Sequence, residues 1–432
     1  MLLKREVHLT QNSYYEASVS RPTPEASLAG AIRADVCVVG AGLAGLSAAL
    51  ELRQRGFTVA LLEAKTVGWG ASGRNGGQLI AGYASDDAIE SQLDAAAARE
   101  AWQVTVDALA LVRQRIADHQ IDCDFVPGYM SLAVNARKAR ELAGYSEQLM
   151  QRYGYAVQPI APADVGNWIA SDRFHSGVYD PQSGHLHPLK YTLGIAAAAR
   201  AAGVQIYENS PVHKVHRANR PVVHTEQGSV TCDFVVMAGN VYLNEYGNAV
   251  APELAPRIMP VGTYIIATEQ MAPERAAELI RHRAAVCDTN FVLDYFRPTA
   301  DHRMLFGGRV SYSGATPLNL AGSMRQRMLS VFPQLSDLAV PYAWGGFVDI
   351  TMNRGPDFGR LDPNIYYLQG FSGHGLALTG MAGQLAAQAI AGQASRFDLL
   401  ARLRHHNFPG GAALRTPALV LGMLYHRIKD LM

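Results

Sequence analysis

The chain is poor in cysteine, in charge imbalance and in long apolar runs. Of its 432 residues only four are cysteine, Cys37, Cys123, Cys232 and Cys287. They are widely scattered, with no metal spacing and no disulfide framework, and read as reduced thiols of a cytoplasmic protein. Lys plus Arg number 38 against 37 for Asp plus Glu. A net charge of +1 gives nucleic acid or an anionic membrane no purchase. No apolar run approaches the roughly 20 residues of a membrane span. The start, Met1 to Glu6, lacks the apolar core of a signal peptide. The apolar stretch Pro417 to Tyr425 is read as a terminal helix packed on the body or a neighbouring subunit, with a membrane-surface role as the alternative.

What is present is a large apolar inventory, 49% of residues, enough for two or three domains with a sizeable core. The densest signal is Val36-Cys37-Val38-Val39-Gly40-Ala41-Gly42-Leu43-Ala44-Gly45. An apolar strand runs into Gly-x-Gly-x-x-Gly and then into a helix. Gly40 permits the tight turn, Gly42 lets a pyrophosphate approach, and Gly45 lets the helix sit close to the sheet. The helix N-terminus offers free N–H groups to phosphate. A second strand, Phe57 to Leu62, ends at Glu63, about 20 residues on, where a ribose hydroxyl needs an acceptor.

Two more bends belong with this unit. Gly68 to Gln78 holds five glycines and the donors Ser72, Arg74 and Asn75. Such a loop wraps an extended, permanently bound dinucleotide, which a flavin requires and a nicotinamide does not. Phe234 to Met237 is a buried strand ending in Ala238-Gly239, a second close-approach point or a plain glycine turn. Gln369 to Gly375 turns a strand into an Ala-rich helix. A helix N-terminus there stabilises the negative charge of a reduced flavin, and His374 is either a further donor or a loop residue that only fixes backbone.

Elsewhere, Asp86 to His119 reads as Ala-rich and helical, and Asp124 to Val134 as strands around a Pro127-Gly128 turn. Residues 255–350 are rich in strand patterns, an inserted sheet domain. His185 and His187 lack further ligands at metal spacing, so no metal is expected.

These motifs together resemble the D-amino-acid oxidase and glycine/sarcosine oxidase (DAO) family of FAD enzymes, from about residue 34 to about 395. The run Thr351 to Gly359 belongs to the same set. Within the family, the motifs most resemble the bacterial branch that oxidises gamma-glutamylputrescine. They include Ser13-Tyr14-Tyr15, Gly184 to Leu189, Leu293-Asp294-Tyr295, Gly359 to Asp362 and Phe408 to Gly411. The resemblance implies an α/β fold: a Rossmann-like FAD-binding domain of glutathione-reductase type and an antiparallel-sheet substrate domain. The expected pieces are an arm (1–33), FAD-binding parts 34–90, 151–245 and 346–400, substrate-domain parts 91–150 and 246–345, and a tail (401–432). The expected FAD contacts are Gly40, Gly42, Leu43, Ala44, Gly45, Glu63, Ala64, Ser72, Arg74, Asn75, Gly76, Gly77, Gln78, Val212, Ala238, Gly239, Gly370, Ser372, Gly373, His374 and Gly375.

The resemblance also implies chemistry: C–N oxidation by hydride transfer to flavin N5, giving aldehyde, ammonia and peroxide, with molecular oxygen as acceptor. The small-molecule substrate is expected to be gamma-glutamylputrescine or a related polyamine derivative. A cyclic imino acid oxidase and a membrane-associated dehydrogenase are the alternatives, and homo-oligomerisation stays open. Sarcosine oxidases place a lysine after the Gly-His-Gly loop, where this chain has Ala377. They tether flavin through a cysteine in the stretch matching Gly346 to Ile350, which has none here. Non-covalent FAD is therefore expected, with no carboxylate beside the reacting carbon. The candidate catalytic residues are Tyr264, Tyr295, Trp344 and His374; the three strand aromatics either wall the amine or belong to the sheet core. Asp294 is a candidate for a remote ammonium or a solvated edge charge. Arg297, Arg303 and Arg309 are candidates for a remote carboxylate or surface charges.

Overall fold

Strands that are apolar at every position are buried on both faces, and those that alternate are buried on one. The computed structural model, which describes Leu9 and residues 12–247, 250–290, 292–311 and 319–409, contains both kinds. Helix α1 (Tyr14–Ala17) and strand β1 (Gly30–Arg33) precede a βαβ unit of β2 (Val36–Val39), α2 (Leu43–Gln54) and β3 (Val59–Leu62). Then come β4 (Gln78–Leu79), α3 (Asp86–Glu90), α4 (Ala95–Asp118), β5 (Val126–Ala133) and α5 (Ala136–Tyr153). Strands β6 (Gln158–Ile160) and β7 (Ser176–His185) lead to α6 (Pro188–Ala201). Short strands follow: β8 (Gln205–Tyr207), β9 (Lys214–His216), β10 (Val222–His224), β11 (Gly228–Thr231) and β12 (Phe234–Met237). The next stretch holds β13 (Ile258–Ala267), α7 (Pro273–Leu279), β14 (Ala285–Asp288), β15 (Tyr295–Pro298), β16 (Met304–Ser311), α8 (Leu320–Val331) and β17 (Tyr342–Thr351). Last are β18 (Asp357–Asp362), β19 (Ile365–Gln369), α9 (Gly375–Ile390) and α10 (Ser395–Ala401).

Three sheets result. A six-stranded sheet runs β18-β19-β12-β2-β3-β8, parallel except for its edge strand β18. Its order reverses at β2, with β3 on one side and β12 on the other, so a crevice opens at the strand C-terminal ends. Val36 and Val38 of β2 pack in a core with α2, α4, α6 and α9. Cys37 and Val39 face the core shared with the four-stranded sheet β1-β11-β10-β9. Each fully buried Val or Leu of this sandwich contributes about 1.5–3 kcal/mol. Helices α2 and α9 touch backbone to backbone: a Cβ on Gly383 would lie 2.3 Å from the Ala44 carbonyl oxygen.

A nine-stranded sheet runs β17-β13-β16-β15-β14-β5-β7-β4, with β6 paired to β7. Its pairs are antiparallel except β14 with β5. One face packs under α7 and α8. The other carries Ile265, Ala267, Leu305 and Trp344 against Tyr14, Tyr15 and Leu189.

One expectation is refined and three change. The helical stretch from Asp86 to His119 divides into two helices, with Asp94 capping α4 by accepting from the Ala96 and Ala97 N–H groups. The strands around Pro127-Gly128 are one strand with a register shift there, where a Cβ on Gly128 would lie 2.6 Å from the Tyr179 hydroxyl. The arm over 1–33 contains α1 and β1 rather than extended chain alone. Sheet membership cuts across the expected domain limits: β4, β6 and β7 belong to the nine-stranded sheet, α4 packs with the helices of the six-stranded sheet, and β17 runs through the 345/346 boundary. The stretch Pro417 to Tyr425 lies outside the described residues.

Candidate functional site

The crevice at the β2 switch point is an open cleft. Three separated bends meet on it: Gly40, Gly42, Leu43 and Ala44 from the β2–α2 turn, Gly70 to Ser72, and Phe371 after β19. Glu63, Ala64 and Val212 line it, as do Ala238 and Gly239 at the end of β12. Gly40 stands at φ +104°, and a Cβ there would lie 2.7 Å from the Ala238 carbonyl oxygen. On Gly45 a Cβ would lie 1.9 Å from the Gly40 carbonyl oxygen. The turn therefore admits no side chain at either position.

The donor chemistry suits a dinucleotide. Helix α2 opens at the cleft with Gly42 as its N-cap and no side chain of its own to cap it. Ser72 Oγ accepts from the Leu43 N–H at 2.9 Å and bridges two of the bends. Glu63 accepts from Ala41 N at 2.8 Å and Lys65 N at 2.9 Å, one bond to each carboxylate oxygen. A carboxylate oxygen takes more than one donor, so acceptor capacity remains for a ribose hydroxyl. Burial pushes the Glu63 carboxyl up, partly opposed by these backbone bonds. At the third bend, Ser372 is buried and His374 precedes α9. Burial, then Arg354, lowers the His374 imidazole to about 4, so it is neutral at physiological pH.

The loop from Gly68 to Gln78 divides its work. Buried Arg74 holds its guanidinium 4.3 Å over the Trp69 ring, and its carbonyl accepts from Trp344 Nε1 at 3.0 Å. Asn75 donates to the Ala71 and Ser72 carbonyls and accepts from the Gly77 N–H, so its donors close the loop instead of pointing to a ligand. Gln78 donates to the Val286 carbonyl across the nine-stranded sheet. Gly76 lies under Tyr295: a Cβ there would be 2.6 Å from the Tyr295 ring.

The strand aromatics separate. Ile265 pairs with Trp344 and with Gly307, and Gly307 pairs with Tyr295, so these side chains share the face toward the loop. Tyr264 is one residue out of phase and packs under α8 with Phe296 and Phe306. It belongs to the outer core and does not join Tyr295 and Trp344. Tyr295 contacts the Gly76 bend directly, and Trp344 is fully buried with its ring against Tyr15.

The charged candidates also resolve. Arg297 is buried and donates to the Gly76 carbonyl at 2.8 Å, the Tyr15 hydroxyl at 3.1 Å and the Leu186 carbonyl at 3.1 Å. It ties loop to sheet and is not a surface charge. Arg303 pairs with Asp301 at 2.7 Å. The Arg309 side chain lies outside what is described. Asp294 is buried rather than solvated, with Arg327 at 2.6 Å; burial pushes its carboxyl up to about 6. His187 Nδ1 accepts from the Lys190 N–H and caps α6. Among the described residues no group of His, Cys, Asp and Glu is set to hold a metal.

The motif reading missed Trp69, Asn240, Tyr242, Leu243, Tyr246 and Thr379, all on the cleft. Trp69 and Tyr242 meet edge-on at 5.5 Å. Asn240 at φ +52°, directly after Ala238-Gly239, marks the turn that carries Tyr242 to the cleft. Lone tyrosines after a strand carry no periodic signal by which to find them.

Comparison with known proteins gives a consistent result. Residues 35–389 match the family described as FAD dependent oxidoreductase. The chain is 42% identical to gamma-glutamylputrescine oxidoreductase of Escherichia coli (strain K12), over 97% of this chain and 98% of that protein. It is 38% identical to a probable oxidoreductase, OrdL, of Haemophilus influenzae, over 97% of each. Among solved structures, glycine oxidase from Geobacillus kaustophilus superposes with a TM-score of 0.70 at 20% identity, covering 84% of this chain and 95% of that one.

Proposed function

This chain belongs to the FAD-dependent oxidoreductase (DAO) family, and from that premise we propose that it oxidises a primary amine of a polyamine derivative, gamma-glutamylputrescine or a close analogue. Bound FAD supplies the two-electron acceptor for the C–N bond. The convergence of three separated bends on one cleft carries this reading, together with 42% identity over nearly the whole length of a gamma-glutamylputrescine oxidoreductase.

The chain's residues divide the task. The N-terminus of α2 faces the pyrophosphate, and Glu63 takes a ribose hydroxyl. The Gly370–Gly375 bend and the N-terminus of α9 face the flavin pyrimidine. Retention is non-covalent: Cys37, Cys123, Cys232 and Cys287 are all free and buried, and none lines the cleft. Tyr295, packed on Gly76, walls the amine pocket, while Trp344 acts behind it by fixing the Arg74 carbonyl. A neutral amine held against this wall releases hydride; an ammonium has no lone pair to drive it. Oxygen is the proposed acceptor, and the imine is hydrolysed to aldehyde and ammonia. The four free thiols favour a reducing, cytoplasmic setting. No helix among the described residues is long and apolar enough to cross a membrane.

The test is anaerobic bleaching of the bound flavin by a panel of polyamines, their gamma-glutamyl forms and cyclic imino acids. Fastest bleaching by gamma-glutamylputrescine, with peroxide formed on admitting air, is expected. Preference for an imino acid overturns the substrate. Bleaching without peroxide on aeration overturns the acceptor.

A further inference from the structure

The bend from Gly370 to Gly373 is held in an unfavourable shape from one side. Gly370, Ser372 and Gly373 stand at φ +78°, +52° and +95°. Only glycine adopts such angles freely, so Ser372 needs external support, an outlier of this kind costing on the order of 1–3 kcal/mol. Ser372 Oγ lies 3.3 Å from both the Thr351 N–H and the Thr351 hydroxyl. The larger support is Asp349 on β17. Its Oδ2 accepts from the Gly370 N–H at 2.5 Å, and the nearby Phe371 N–H also favours its charged form. Its backbone carbonyl accepts from the Ser372 N–H at 3.0 Å.

Phe371 lines the cofactor cleft, and α9 begins at Gly375. On the FAD reading above, on which this inference rests, we propose that Asp349 is a positioning residue. Its ionised carboxylate keeps the bend and the N-terminus of α9 set against the cofactor, and this makes FAD retention depend on pH.

Asp357 on β18 faces Asp349, tied to Arg257, Tyr367 and Gln369. Arg354 in the intervening turn and His374 before α9 interact with each other. His405 lies beside Asp357 and Arg257. Burial pushes the Asp349 carboxyl up to about 7, with Asp357 adding to the rise and the Gly370 and Phe371 bonds opposing it. The sign follows. Those bonds favour the charged form, so they are strongest above pH 7 and weaken as the carboxyl takes a proton below it. The His374 value of about 4 lies outside this window.

The experiment follows FAD release from the holoenzyme, without substrate, by the fluorescence of the freed flavin between pH 6 and pH 8. Release about tenfold faster at pH 6 than at pH 8 is expected, the size of one charge-assisted hydrogen bond. Asp349→Asn is expected to release FAD at the fast rate at every pH. Ser372→Gly, which keeps the carboxylate, retains the pH window. If Asp349→Asn does not fold, Asp349→Glu carries the test and must move the midpoint. A flat profile in the unsubstituted enzyme, an Asp349→Asn variant that keeps the window, or an Asp349→Glu midpoint that does not move overturns the proposal. Protein that stays colourless after reconstitution with FAD overturns the cofactor reading instead.

Discussion

In the six-stranded sheet, β2 and β3 are buried at every position, and each bend at their C-terminal edge is continuous in sequence. In the nine-stranded sheet, β13 and β17 alternate between two cores, and the face carrying Tyr295 and Trp344 is assembled from β13, β15, β16 and β17 together with Tyr14, Tyr15 and Leu189 from far along the chain. The first layer builds its site from backbone: N–H groups, carbonyls and the absence of Cβ atoms. The second builds it from side chains, whose direction depends on register. A binding site made of main chain tolerates little substitution. One made of side chains is open to retuning, which suits a family that keeps a cofactor and varies its substrate.

The sharpest way to break this contrast is Gly45→Ala. Its methyl group collides with the Gly40 carbonyl oxygen, so a loss of about 3 kcal/mol in stability and a colourless protein are expected, read by urea unfolding and flavin absorbance. A coloured variant of unchanged stability would show that the turn has room.

Next in size is Arg297→Leu, aimed at the join between the layers. It strands the Gly76 and Leu186 carbonyls and the Tyr15 hydroxyl, at a cost of about 3 kcal/mol in a thermal or denaturant melt. A cost under about 1 kcal/mol would mean that the layers hold together without it.

A pair of variants then compares the two faces of one sheet. Tyr295→Leu is expected to lower kcat/KM for the amine about tenfold while the flavin stays bound, as loss of an aromatic wall would. Tyr264→Phe, on the outer face, is expected to leave kcat/KM within about twofold and to change only stability, by about 1 kcal/mol. Equal kinetic effects would erase the distinction between the faces.

The smallest expected effect is a profile that does not move. With FAD in excess, kcat/KM rises with pH until the substrate amine is neutral. His374→Asn leaves the inflection where it was, because burial already holds His374 neutral down to about pH 4. A shifted inflection would make His374 the titrating base.

Legibility followed the same division. The glycine turn from Gly40 and Glu63, both on the cleft, follow a pattern legible in sequence, since a phosphate-binding turn needs its residues within a few positions of one another, whereas of the Gly370 to Gly375 bend only Phe371 lines the cleft. Asn75 misled because a loop amide serves a ligand or its own loop with equal chemistry. Tyr264 misled because alternation gives two faces without saying which is inner. Arg297 looked like one strand charge among several, and only its burial against Gly76 and Tyr15 marks it as a tie.

The glycine-rich turns and the family were legible from contiguous residues, because tight turns and close approaches depend on neighbours in the chain. Tertiary structure alone decided which aromatics share a face, that Asp294 and Arg297 are buried, and that Asp349 reaches the bend after β19. The reason is register: a slip of one residue carries every side chain of a strand to the opposite face, and register is set by pairing with strands far away in the chain.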